Sequence, residues 1–283
     1  MANDAPDRDF NFTDQDFNRI RKMIHEHAGI ALSDAKRDLV YSRLARRLRA
    51  NNLKAFSQYL NFLENNEPEW EAFVNSLTTN LTAFFRENHH FPLLAAHIEQ
   101  VKYRRPLEIW CSASSTGEEP YSLAMTMVDL FGSYTPPVHI LATDIDTNVL
   151  NKAKSGVYTE DRIEKLSPDH IKRFFLRGTG NNSGMVRVRP ELQAMITFRQ
   201  LNLLDKTWPI RGPFEAIFCR NVMIYFDKPT QLDILRKFVP LMRQDGLLFA
   251  GHSESFYHAT DLFKIRGRTV YEIAQQSRPQ AQR

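Results

Sequence analysis

Apolar residues recur at spacings of three and four through DFNRIRKMIHEHAGI, RDLVYSRLARRLRA and WEAFVNSLTTNLTAFF, so the chain from Asp14 to about Phe85 reads as helices. A connecting helix runs through His97. Beyond it the pattern changes to short apolar runs, LEIWC, VHILA, ITFRQ, FEAIF, GLLFAG and TVYEI, alternating with helical stretches. That alternation is the signature of a largely parallel sheet covered by helices. Between the second and third runs lies a long connection, Thr147 to about Met195, with a predicted helix PDHIKRFFL followed by RGTGNNSGMVRVRPELQ. MVRVR alternates, turn glycines precede it and ITFRQ is placed to pair back on it, so a small antiparallel β-subdomain is expected at about 174–198. The expected organisation is a disordered N-terminus at 1–10, a helical domain at 11–86, an α/β domain at 87–274 and a disordered tail at 275–283.

At 283 residues and 42% apolar content the chain can bury a full core and has room for two domains. No apolar run approaches the roughly 18 to 20 residues that cross a bilayer, and MANDAPDRDF lacks the basic-then-apolar pattern of a secretory signal. A cytoplasmic protein without membrane insertion is expected. Cys111 and Cys219 both fall in strand-like runs and read as core residues, and no metal site is expected. The net charge of +4 is mild, but its distribution is not even. On the second helix Arg43, Arg46, Arg47 and Arg49 share one arc, and no acidic residue lies between Leu39 and Glu64 to neutralise it. A solvated face is the ordinary meaning; a polyanionic partner, nucleic acid or an acidic protein helix, is the sharper one.

The stretch PLEIWCSASSTGEEPY, from Pro106 to Tyr121, has the layout of a ligand-binding strand, turn and helix. A dinucleotide fingerprint wants three glycines; here only Gly117 is present, and Glu118 and Glu119 follow it. Two carboxylates there repel a phosphate and suit a nucleoside with a cationic end. Asp144, ending the second strand, is placed to reach ribose hydroxyls, although Asp144 or Asp146 would equally serve as a cap for the helix beginning near Thr147. Arg220, Asn221 and Tyr225 follow the fourth strand, where ligands bind in such sheets, and Asn202 and Leu203 follow the third. Plainer readings are core aromatics and a turn asparagine. Upstream, Thr78 to Arg86 makes a poor surface helix and is suited to fold over a ligand, Asn80 and Thr82 donating hydrogen bonds and Arg86 meeting a carboxylate. A linker is the bland alternative.

Taken together, TTNLTAFFR, STGEEPYS, ATDIDT, GPFEAIFCRNVMIYFD and GLLFAGHSES resemble the chemoreceptor glutamate methyltransferases, the CheR family, over nearly the whole chain from about Phe12 to Ile273. The resemblance implies an all-helical N-terminal domain joined to a Rossmann-like, S-adenosylmethionine-dependent methyltransferase domain of α/β class with an inserted β-subdomain. It implies that Asn80, Thr82, Arg86, Glu119, Asp144, Asn202, Leu203, Arg220 and Asn221 contact the cofactor, with Glu119 rather than Glu118 facing its amino group. Tyr225 and Arg86 are implied at the methyl-accepting position, and S-adenosylhomocysteine is the implied product. The implied partners are glutamate-rich receptor helices, steered by Arg43, Arg46, Arg47 and Arg49, with a receptor C-terminal peptide at the β-subdomain in some members. A monomer that binds no nucleic acid is expected: the Pro-Pro signature of adenine methylation is absent from Arg220 to Tyr225. A noncatalytic sensor is disfavoured by the intact set of Arg86, Glu119, Asp144 and Tyr225.

Overall fold

The structure, a computed structural model, describes residues 9–102 and 105–275, and its packing separates one unit ending at Thr79 from a second beginning at Asn80. The first unit holds α1 (Asp14–Ala28), α2 (Arg37–Ala50), α3 (Phe56–Glu64) and α4 (Glu67–Leu77). Thr13 and Asp16 close a capping box on α1, and Gly29 stops it in the left-handed conformation. The apolar stripes meet in a core of Ile20, Ile24, Val40, Leu44, Leu48, Leu60 and Phe73, all buried. The helical pattern was expected to run to Phe85, yet α4 ends at Leu77. Thr78 is already extended, and Arg43 donates to the last carbonyls, Ser76 O at 3.3 Å and Thr78 O at 2.6 Å. The domain boundary expected after Arg86 therefore differs from the break in packing, which assigns Asn80–Arg86 to the second unit. The disordered ends expected at 1–10 and 275–283 lie mostly outside the described residues; of those described, Phe10 packs edge-on to Phe56.

In the second unit, α5 (His90–Glu99) leads to β1 (Leu107–Cys111), α6 (Glu118–Phe131), β2 (Val138–Asp144) and α7 (Thr147–Ser155). Then follow β3 (Val157–Thr159), α8 (Pro168–Phe174), β4 (Phe175–Arg177), β5 (Met185–Val188), α9 (Pro190–Ala194) and β6 (Ile196–Gln200). The chain closes with β7 (Phe214–Cys219), α10 (Lys228–Phe238), β8 (Met242–Ala250), β9 (Phe263–Gly267) and β10 (Val270–Ile273). The main sheet has the order β6-β2-β1-β7-β8-β10-β9, parallel through β8, with β10 antiparallel to both neighbours. Successive residues alternate between faces: Ile109, Cys111, Ile140 and Phe218 pack under α6, whereas Trp110, Leu141, Ile217 and Cys219 pack under α10. The strand order reverses at β1 and β7, so the ligand crevice belongs beyond their carboxyl ends.

The small antiparallel sheet is present, but with strands other than those expected. Its order is β3-β5-β4, so MVRVR pairs with VYT and FLR, and ITFRQ instead joins the edge of the main sheet beside β2. The subdomain thus begins near Val157 rather than 174. Three-residue strands carry too little pattern to be read from sequence. Among the described residues no helix is long and apolar enough to cross a membrane.

Candidate functional site

The loop from Ser112 to Gly117 is pinned across both neighbours of β1: Ser112 N donates to Phe218 O at 2.9 Å and Ser114 N to Thr143 O at 2.8 Å. Gly117 has φ +98°, and a Cβ there would lie 2.8 Å from both Ala153 Cβ and the Tyr158 hydroxyl, so only glycine fits. Helix α6 then begins with its two acids, favourably placed against the helix dipole.

Those acids face different surroundings. Glu118, fully buried, takes the Thr116 hydroxyl at 2.6 Å and an ion pair from Arg162, whose guanidinium also donates to Thr82 O at 2.9 Å. Glu119 lies against the ends of β1 and β7, where Arg220 donates to its Oε2 at 2.6 Å and the Cys111 thiol to its Oε1 at 3.2 Å. In sequence Glu118 and Glu119 stand as unopposed negative charge. Each has an arginine brought by the tertiary fold.

At the end of β2 the structure separates two roles that the sequence left open. Asp146 caps α7, accepting from Asn148 N at 2.9 Å and Val149 N at 3.2 Å, while Asn80 Nδ2 donates to its other oxygen at 2.9 Å. Asp144 does not cap the helix; its oxygens take Ser115 N at 2.8 Å and Asp146 N at 3.0 Å. Burial pushes its carboxyl up to about 6, against the pull of those two amides. Ser115 Oγ donates to Asn80 O at 3.2 Å, so the Asn80 strip reaches the ends of β1 and β2 together.

Across the switch point, Arg220 is 4% exposed. It donates to Arg86 O at 2.5 Å and pairs with Glu87 at 3.3 Å as well as with Glu119. Burial pushes the Glu87 carboxyl up, but Arg220 and the amides of His252 and Asn221 outweigh it and leave it below the ordinary range. Asn221 is left-handed at φ 58°. Tyr225, half-buried, closes the 3-10 turn Met223–Tyr225 that follows. Arg86, also half-buried, donates to Leu81 O at 2.6 Å. Asn202 accepts Leu204 N at 3.0 Å in the turn after β6, and Leu203 is buried. Leu201 N donates to Asp144 O, which sets that turn beside β2.

The second-unit residues expected at the site are thus all carried at or beside the carboxyl rim. Sequence reasoning missed Glu87, Arg162 and Glu254. Glu87 follows Arg86 directly and Glu254 lies in the quoted motif GLLFAGHSES, whereas nothing near Arg162 announces a partner 80 residues upstream, at Thr82. The basic arc of α2 is a correction. Glu69 and Asp9, distant in sequence, neutralise two of its members: Arg47 forms a bidentate pair with buried Glu69 at 2.8 and 2.7 Å, and Arg49 pairs with Asp9. Arg43 is engaged by α4, and Arg46 is exposed.

The donors and acceptors of the rim fit a polyhydroxylated cation better than a phosphate. Asp144 is met by backbone amides, Glu119 offers Oε1 to nothing stronger than a thiol, and the buried Ser114 hydroxyl has no hydrogen-bond partner among the described residues. Compared with known proteins, residues 80–272 match the family model "CheR methyltransferase, SAM binding domain" and residues 15–78 match "CheR methyltransferase, all-alpha domain". The chain is 55% identical over 266 residues to the chemotaxis protein methyltransferase of Escherichia coli (strain K12), covering 93% of this chain and 92% of that one. It is 53% identical to chemotaxis protein methyltransferase 2 of Pseudomonas aeruginosa, covering 94% of this chain and 96% of that one. Identity to the chemotaxis protein methyltransferase of Salmonella typhimurium is 54%, over 93% of this chain and 91% of that one.

Proposed function

The chain belongs to the CheR methyltransferase family, the S-adenosylmethionine-dependent enzymes that methylate glutamate side chains of chemoreceptors in chemotactic adaptation, and on that premise we propose how its own residues share the work. Asp144 holds the ribose hydroxyls, Glu119 takes the amino group through Oε1, and Asn202 and Leu203 border the adenosine. Asn80, Thr82 and Arg86 contact the cofactor from their own segment, and Arg220 and Asn221 from the end of β7. Glu118 serves structure, since Arg162 and Thr116 occupy it. The observation that carries this reading is the convergence of Glu119, Asp144, Arg220 and Asn221 at the carboxyl ends of β1, β2 and β7.

S-adenosylmethionine, when bound, supplies an electrophilic methyl group on a sulfonium. A glutamate carboxylate has a pKa of about 4.3, so at neutral pH it is ionised and needs no general base. What remains for the protein is positioning and exclusion of water. The Tyr225 hydroxyl and the Arg86 guanidinium orient the incoming carboxylate, weakly enough to leave it nucleophilic. Tyr225→Phe and Arg86→Ala are each expected to lower kcat on receptor fragments by about tenfold or more, the order of one hydrogen bond to a charged group. Unchanged turnover in a variant removes that residue from the assignment.

The receptor's methylation helices are the macromolecular partner, steered by the basic arc. Because Arg43 and Arg47 are built into the fold, steering falls to exposed Arg46 and to Arg49, whose pairing with Asp9 is a surface one that an acidic partner can displace. Reversing both to glutamate should raise the receptor KM without changing cofactor affinity. Arg47→Ala instead strands buried Glu69 and should cost about 3 kcal/mol in thermal unfolding. A receptor C-terminal peptide adds as a strand at an edge of the β3-β5-β4 sheet, where β4 leaves Leu176 41% exposed. The enzyme acts as a cytoplasmic monomer without nucleic acid. The deciding experiment supplies labelled methyl donor with receptor fragment or DNA, with and without the peptide. Base-labile label on receptor alone supports an ester product; label on DNA, or none on either, overturns it, and no calorimetric binding of the peptide removes the docking step.

A further inference from the structure

Seven described non-glycine residues have left-handed backbone, and four of them, Phe85, Glu87, Ser115 and Asn221, lie in the segments that bear the site. Such backbone is strained and persists only where the surroundings over-determine it. Three of the four have their amide caught by a side-chain oxygen. Phe85 N donates to Ser122 Oγ at 2.9 Å, Ser115 N to Asp144 Oδ2 at 2.8 Å and Asn221 N to Glu254 Oε2 at 2.9 Å.

Glu254 has no part in the functions assigned so far. It is 4% exposed and its Oε2 also accepts the amide of Gly251; burial pushes its carboxyl up, against the pull of the Gly251, Asn221, Met223 and Ile224 amides. From the other side Glu87 accepts Asn221 Nδ2 at 3.2 Å on one oxygen and His252 N at 3.0 Å on the other. Two carboxylates therefore tie the loop after β7 to the loop after β8 and to the chain following Arg86. There is little slack: a Cβ on Gly251 would lie 2.5 Å from Asn221 Nδ2 and 2.7 Å from Glu254 Oε2.

We propose that Glu254 and Glu87 are positioning residues for methyl transfer, a two-carboxylate brace that holds Asn221 left-handed and thereby sets the Met223–Tyr225 turn. The brace rests on the roles given to Asn221 and Tyr225 above. Glu254 acts through Asn221, whose amide it fixes in the left-handed, costlier conformation, which an unrestrained asparagine would abandon. Once that residue relaxes, the turn bearing Tyr225 shifts with it, and a displacement of about 1 Å at a reacting group costs on the order of 10²-fold in rate.

The test uses the full chain carrying Glu254→Ala, Glu254→Gln or Glu87→Gln, with kcat and receptor KM measured alongside calorimetric affinity for S-adenosylhomocysteine. Glu254→Ala should lower kcat on the order of 10²-fold at unchanged receptor KM, and Glu254→Gln, which keeps an acceptor for the Asn221 amide, should recover most of that loss. Glycine holds the left-handed conformation unaided, so in an Asn221→Gly background Glu254→Ala should lower kcat little further. An equal loss in both backgrounds overturns the brace, as does unchanged kcat in folded Glu254→Ala. Where Glu254→Ala does not fold, Glu87→Gln carries the comparison: lowered kcat with an intact fold is expected, and unchanged kcat overturns the brace. If the wild type transfers no methyl to receptor, the functional reading has failed; the brace is then judged on S-adenosylhomocysteine affinity, weakened in the variants if it holds and unchanged if it does not.

Discussion

Arg220→Ala should lower the stability of the protein by about 3–5 kcal/mol, the usual consequence of removing one partner from a buried ion pair. The guanidinium reaches Glu119 at 2.6 Å, Glu87 at 3.3 Å and the Arg86 carbonyl at 2.5 Å, with its side chain wholly buried. Deleting it leaves two mostly buried carboxylates without the cation that pairs with both. Attraction from Arg220 is also what helps to hold the Glu87 carboxyl low. For a domain of this size the loss corresponds to a fall of roughly 10 °C in Tm. Arg220→Lys keeps the charge but lacks the planar fork that serves two acids and a carbonyl at once, so it should recover only part of the stability. Thermal unfolding of both variants checks this, and an alanine variant melting with the wild type would show that the pair contributes nothing.

Cofactor affinity is expected to depend on pH through Asp144. The carboxyl is held at about 6 against an ordinary value of 3.8, chiefly by burial. Its ionisation therefore costs the folded protein more than the unfolded chain. This group favours the folded state below about pH 4, and that contribution is lost as the pH rises through about 6. Ribose hydroxyls donate to the carboxylate and stabilise its ionised form. Binding should accordingly be tightest above about pH 6 and weaken towards tenfold per pH unit below it. Asp144→Asn removes the charge at every pH. Its affinity should be lower by about 10- to 100-fold at neutral pH, the strength of a hydrogen bond to a charged group, and nearly flat between pH 5 and 8. Calorimetric titration of S-adenosylhomocysteine across that range tests both statements; the same slope in wild type and variant would assign the pH dependence to another group.

Much of the fold was legible because its long elements carry strong periodicity. LEIWC and ITFRQ coincide with β1 and β6 to the residue, the first because a buried parallel strand is a mostly apolar run bounded by turns and the second because apolar and polar residues alternate along an edge strand. The Thr78–Arg86 strip drew two conflicting readings, the end of a helical pattern and a poor surface helix, because apolar spacing persists through Phe85 while small polar residues fit no amphipathic face; α4 in fact ends at Leu77. Harder to see were VYT and FLR, whose pairing with MVRVR depends on register across a loop rather than on their own composition. The assignment of ITFRQ shows the same limit: alternation announces a strand and says nothing about its neighbour.

The sequence by itself determined the helical first unit, the α/β second unit, the family, and the positions of Glu119, Asp144, Arg220, Asn221 and Tyr225, because each follows a recognisable strand or helix boundary. Only the tertiary structure decided how the charges are matched. It gave Glu118 to Arg162, Glu119 to Arg220, Glu69 to Arg47 and Asn221 to Glu254, and it separated Asp146, which caps α7, from Asp144, which takes the amides of Ser115 and Asp146. Periodicity is a local property, read from neighbours a few residues apart. The cost of a buried charge is settled by whichever residue the fold brings within about 3 Å, and that residue lies anywhere along the chain.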